Sequence, residues 1–104
     1  MENTTQTSAA TLAHPCACSQ FDITEFEDRF MAYDRDNDQI HVLNRTAVEV
    51  LELCNGDHSA ARIAEALQRS YGLDTPPRRE VDEILARMER TGLIEFHNPA
   101  LEAV

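Results

Sequence analysis

Lysine is absent from this 104-residue sequence. All nine basic residues are arginines, and they face nineteen acids, for a formal charge of -10. Nucleic-acid phosphates and anionic lipid repel such a chain at long range, so the composition argues against both and favours a partner with a basic patch. Cysteine is scarce and odd in number: Cys16, Cys18 and Cys54. That excludes a disulfide scaffold and fits a reducing, cytoplasmic setting. Glycine occurs three times, which leaves no glycine-rich phosphate loop. No run approaches the ~18 apolar residues of a membrane span. Nor does a basic flank followed by an apolar run open the chain, as a signal peptide would require.

What is present is enough for one small domain. Hydrophobic residues make up 42 % of the chain, the range of a globular protein rather than a disordered one. They are distributed unevenly. Residues 1–19 are rich in Thr, Ser and Ala, with Leu12 as the one large aliphatic side chain, too little to offset the entropy of ordering. The expectation is a flexible tail at 1–19, a domain at 20–96 and a short tail at 97–104. Phe21, Ile23 and Phe26 suggest a first strand. Phe30–Tyr33 and Gln39–Leu43 are strand-length runs joined by the polar Asp34–Asp38, which reads as a hairpin.

Three helices are expected next. Thr46 with Glu49 fits a capping box ahead of the stripe Ala47, Val48, Val50, Leu51 and Cys54, and Gly56 is placed to end that helix. Ser59 can cap a second helix carrying Ile63, Leu67 and Tyr71, ended by Gly72. Thr75-Pro76 is a natural start for the third, whose buried face is Val81, Ile84, Leu85 and Met88. Gly92 stops it, and Leu93, Ile94 and Phe96 fold back onto the core. The fold class expected is α+β, winged-helix-like, with two or three N-terminal antiparallel strands followed by three helices.

Chemistry-bearing groupings are few. His14, Cys16 and Cys18 are close in sequence, but Cys-x-Cys lacks the usual gap between zinc thiolates and no second pair lies nearby. Asp34, Asp36 and Asp38 alternate like a calcium loop, yet Arg45 stands where that loop needs a bidentate glutamate. They read as an acidic hairpin turn. Glu80, Asp82 and Glu83 occupy the first turns of a helix, where the dipole favours acids. Nothing resembles an activated nucleophile, so no enzyme activity and no cofactor are expected. A winged helix raises the question of DNA, but Arg62 and Arg69 on the second helix flank Glu65, and the arginines of the third alternate with acids.

With the helices placed, the segment from Val42 to Ile94 resembles the PqqD-like family, small peptide chaperones and recognition elements for ribosomally made, modified peptides. The resemblance rests on VLNRTAVEVLELCNG, HSAARIAEALQRSYG and EVDEILARMERTGLI in that order. Within it lie Leu43-Asn44, Ala47, Leu51 and Gly56, then Ile63 and Leu67, then Glu80-Val81, Ile84-Leu85 and Gly92-Leu93. It implies a non-catalytic adaptor that holds the leader segment of a precursor peptide and presents it to a modifying enzyme, in several pathways a radical S-adenosylmethionine protein. Any iron–sulfur cluster would belong to that partner.

The residues support this reading independently. An edge strand can receive an extended peptide by strand addition. The expected edge is Gln39, Ile40, His41, Val42 and Leu43, beside the third helix. From that helix Val81, Leu85 and Met88 would close pockets, while Arg78, Arg79, Asp82 and Arg87 would form a charged rim. The chain is expected to be a monomer, or a weak homodimer through the same edge. The alternatives are a winged-helix DNA-binding protein or anti-regulator, and a structural subunit without a peptide ligand.

Overall fold

The three strands of the main sheet form where branched and aromatic residues alternate with polar ones. In the computed structural model, which describes residues 13–97, β1 is His14–Ala17, β2 Phe21–Phe26, β3 Arg29–Asp34 and β4 Gln39–Leu43. Three helices follow, α1 Arg45–Glu52, α2 Ala60–Tyr71 and α3 Arg78–Arg90, and β5 spans Ile94–His97. Strands β2, β3 and β4 make one antiparallel sheet in that order, and β1 pairs with β5 as a separate ribbon. This is the α+β, winged-helix-like arrangement expected. Phe30 opposite Leu43, and Ala32 opposite His41, set the register of the central pair. Phe30, Ala32 and Leu43 are buried against the helices, so a one-residue slip would move them into solvent.

The hairpin turn explains its own aspartates. The Asp34 carboxylate is buried and accepts hydrogen bonds from the backbone of Asp36 (3.0 Å) and Asn37 (3.2 Å) and from Asn37 Nδ2 (2.8 Å). These bonds, that from the Asn37 side chain foremost, hold its acidity below the usual carboxylate range. Asp38 accepts from the Tyr33 hydroxyl at 2.7 Å.

Several local expectations are corrected. Asn44, not Thr46, caps α1: its extended backbone lets Oδ1 accept from Ala47 N at 2.8 Å. Thr46 and Glu49 meet Tyr71 instead, whose hydroxyl donates to Glu49 Oε1 at 2.5 Å and lies 3.4 Å from Thr46 Oγ1. Tyr71 is accordingly 46 % exposed rather than a core residue. Gly56 lies beyond the end of α1, which is capped by Leu53. Helix α3 starts at Arg78, with Pro77 at its cap. Pro77 disfavours helical geometry at the residue before it, so Pro76 cannot open the helix. Ser59 and Gly72 bound α2 as expected, Gly72 with φ 65°.

The expected tail at 1–19 is also revised for the described residues. His14–Ala17 is a strand, paired His14 to His97 and Ala17 to Ile94. On its other side Ala17 N donates to Cys54 O (2.7 Å) and Gly56 N to Pro15 O (3.1 Å). Backbone pairing on both sides, with Pro15 wholly buried, substitutes for the aliphatic side chains this segment lacks. His97 closes β5, so it belongs to the folded unit and not to a tail. Residues 1–12 and 98–104 of the expected tails lie outside the described residues.

Val50, Ile63, Val81, Leu85, Met88, Leu93 and Ile94 form the centre of the core, each at most 2 % exposed. Among the described residues no helix is long and apolar enough to cross a membrane.

Candidate functional site

Among the described residues, strand β4 has a neighbour on one side alone, β3. Its other edge faces α3, and between them runs a groove of about 340 Å³. The strand contributes Ile40, His41, Val42 and Leu43; the helix contributes Ile84, Arg87 and Met88. Ile40 and Val42 are 60 % and 61 % exposed, unusual for branched aliphatics in a small domain, whereas Leu43 and Met88 are buried and form the floor. Arg87 is the one arginine or carboxylate-bearing residue in the lining. Within the lining, His41 packs its ring against Phe21 at 5.9 Å between centroids. Its Nε2 is buried without a hydrogen-bond partner among the described residues.

The structure thus gathers six of the expected binding residues: Ile40, His41, Val42, Leu43, Arg87 and Met88. The others lie elsewhere. Gln39 pairs with Asp34 at the hairpin end. Val81 and Leu85 are 0 % and 2 % exposed and face the core. Arg78 is ion-paired with Asp82 at 3.0 Å, and Arg79 contacts Glu83 at 3.6 Å. Arg87 lies nine positions beyond Arg78, or ~13 Å of helix at 1.5 Å per residue, so those cations sit at the far end of α3. Asn44, Ala47, Thr91 and Leu93 also line the groove, unanticipated from sequence. Periodicity held part of the signal: Ile84, Arg87, Met88 and Thr91 follow the i, i+3, i+4, i+7 spacing of one helical face.

Strand edge, apolar walls and one cation suit an extended peptide. Unpaired backbone groups on β4 can bond a new strand, the walls can bury alternate apolar side chains, and Arg87 can meet an acid at the rim. Among the described residues no group of three His, Cys, Asp or Glu could hold a metal ion. The cysteines are free thiols away from this groove; burial pushes the pKa of Cys54 up to about 12.

Comparison with known proteins identifies the family and the fold. The family model described as coenzyme PQQ synthesis protein D (PqqD) matches residues 29–94, from the first residue of β3 to the first of β5. A solved structure of TbiB1 in complex with the TbiA(beta) leader peptide superposes with a TM-score of 0.64, covering 77 % of this chain and 94 % of that one at 15 % identity. At such identity the likeness establishes a shared fold. No curated protein matches the sequence.

Proposed function

As a member of the PqqD family, to which residues 29–94 assign it, the chain is a peptide-binding adaptor, and we propose that it takes the leader of a ribosomally made precursor as a fourth strand beside β4. The family's members act without catalysing, presenting a peptide to an enzyme that modifies it. The observation that carries the proposal is the coincidence of an open sheet edge, exposing Ile40 and Val42, with an apolar groove floored by Leu43 and Met88 and walled by Ile84. The TbiB1 complex supports it, since a protein of the same fold holds a leader peptide.

In mechanism, the backbone of β4 supplies affinity that is indifferent to sequence, and the groove supplies selection. An apolar leader residue on the helix-facing side of the added strand displaces water from between His41 and Leu43 on β4 and Ile84 on α3, while its neighbours on the opposite side lie against Ile40 and Val42. Arg87 favours a leader with an acidic residue at the rim, contributing ~0.2–1 kcal/mol at an exposed site. Held there, the leader tethers its core segment near the modifying enzyme and raises the local concentration of substrate. We assign that enzyme to a class such as the radical S-adenosylmethionine proteins, place the adaptor in the cytoplasm and take it to be a monomer. The peptide-binding residues are Ile40, His41, Val42, Leu43, Arg87 and Met88, joined by Ile84.

Candidate leaders encoded beside the gene test the proposal by titration into isotope-labelled protein. Amide shifts should concentrate at Gln39–Leu43 and Ile84–Thr91. Arg87→Glu should weaken binding a few-fold, and less so at high salt. Saturable binding centred instead on α2 would refute it.

A further inference from the structure

The three-stranded sheet has a second open edge. β2 pairs with β3 residue for residue over Phe21–Phe26, without a bulge, and nothing pairs with its other side among the described residues. A second apolar groove, about 200 Å³, lies beneath it. Phe21 and Ile23 supply the strand wall, Val48, Leu51 and Glu52 the helix wall from α1, and Leu93 part of the floor. Ile23 is 42 % exposed and Phe26, at the strand's end, 59 %. Natural edges are ordinarily blunted by proline, bulges or charged side chains. This one has neither proline nor bulge, and its two charges, Asp22 and Glu25, are ion-paired with Arg35 and Arg45.

The two grooves differ in sign. Glu52 is the one charged side chain lining the β2 groove, as Arg87 is for the β4 groove among arginines and acids. Along the β2 edge, Asp22 and Glu25 are neutralised by Arg35 and Arg45. Glu27 and Asp28 in the following turn, and Glu52, have no ion-pair partner among the described residues. An acidic edge repels a second copy of itself and accepts a basic strand. The edges are also independent in space. With β3 between them they stand two interstrand spacings apart, roughly 9–10 Å, so strands added to both would not touch.

We propose that β2 is a second strand-docking edge, which takes an extended basic segment of the modifying enzyme while the leader occupies β4. The inference rests on the adaptor reading above, since an adaptor must hold two polypeptides at once. It adds where the second one goes and what chemistry it has: alternating bulky apolar side chains directed into the groove of Ile23, Val48 and Leu51, with an arginine or lysine meeting Glu52. Leader and enzyme segment are then sorted by charge, each binding the other's edge a few-fold more weakly.

The test uses the full chain, isotope-labelled, and two short blocked peptides, one alternating arginine with leucine, the other glutamate with leucine. The basic probe should shift amides of Asp22–Phe26 and Val48–Glu52, and should bind as well when the acidic probe saturates β4. Glu52→Arg, an exposed substitution compatible with folding, should weaken the basic probe about two- to fivefold. N-methylation of its alternate amides, in one of the two possible registers, should abolish binding. Shifts centred on Gln39–Leu43, competition between the probes, or binding that survives N-methylation in both registers would overturn the proposal, the last revealing mere charge attraction. Failure of the β4 reading is distinct: neither the acidic probe nor a leader would shift β4, whatever the basic probe does.

Discussion

Adjacent residues of β4 should respond to truncation in opposite ways. Val42 is 61 % exposed and Leu43 8 %. Removing the two extra carbons of valine forfeits at most about 1.6 kcal/mol of burial at 0.8 kcal/mol per carbon. Since 61 % of Val42 is still open to solvent, about 1.0 kcal/mol of this becomes available when a peptide covers it. Val42→Ala should therefore raise the Kd for the leader about fivefold, and the remaining ~0.6 kcal/mol should appear as lost folding stability. Leu43→Ala inverts the split. It opens a cavity under the sheet, at a cost of about 2–5 kcal/mol in stability, while so little of the side chain is exposed that the surviving folded fraction should bind within twofold of the parent. The assay is anisotropy of a labelled leader peptide, paired with urea unfolding of each variant so that affinity is read for folded protein alone. If Val42→Ala left affinity unchanged, no peptide strand would lie alongside β4 to cover that side chain, and the strand-addition geometry would be wrong.

Two further outcomes follow from titratable groups. Asp34 is more acidic folded than unfolded, so its hydrogen bonds stabilise the hairpin above the unfolded pKa of about 3.9 and cease to do so as pH falls through the folded value. Asp34→Asn should flatten the acid limb of the urea midpoint between neutral pH and pH ~3, an unchanged limb showing that other carboxylates set it. Cys54, buried and with its pKa pushed up to about 12, should resist an aromatic disulfide reagent at pH ~8 until the protein unfolds, whereas the half-buried Cys16 and Cys18 react in the native state. Three thiols reacting at one rate would mean that β1 and the end of α1 open together.

Much of the fold was legible because local chemistry and tertiary demand agree. The stripe Val81, Leu85, Met88 is apolar at helical spacing and is buried at that spacing. Ser59 and Gly72 have chemistry that ends helices, and they end α2. Where several residues could serve one local purpose, the sequence alone chose wrongly. Asn44 and Thr46 are both good caps, and the one in extended backbone at the exit of β4 takes the role. The strand at His14–Ala17 left no local trace, because its order comes from partners about forty and eighty residues away.

The same division runs through the site. Composition and periodicity by themselves determined a small acidic domain, its α+β class, its three helices and the hairpin whose outer strand offers an edge, because each depends on side chains within a few residues of one another. Only the tertiary structure decided which residues of α3 face that edge. A helix shows every side to the sequence reader but turns one side toward a neighbour, so Val81 and Leu85 went to the core, Arg78 and Arg79 to ion pairs on their own helix, and Ile84, Arg87 and Met88 to the groove. The crossing of helix over sheet is set by the packing of the whole core, a property no window of the chain contains.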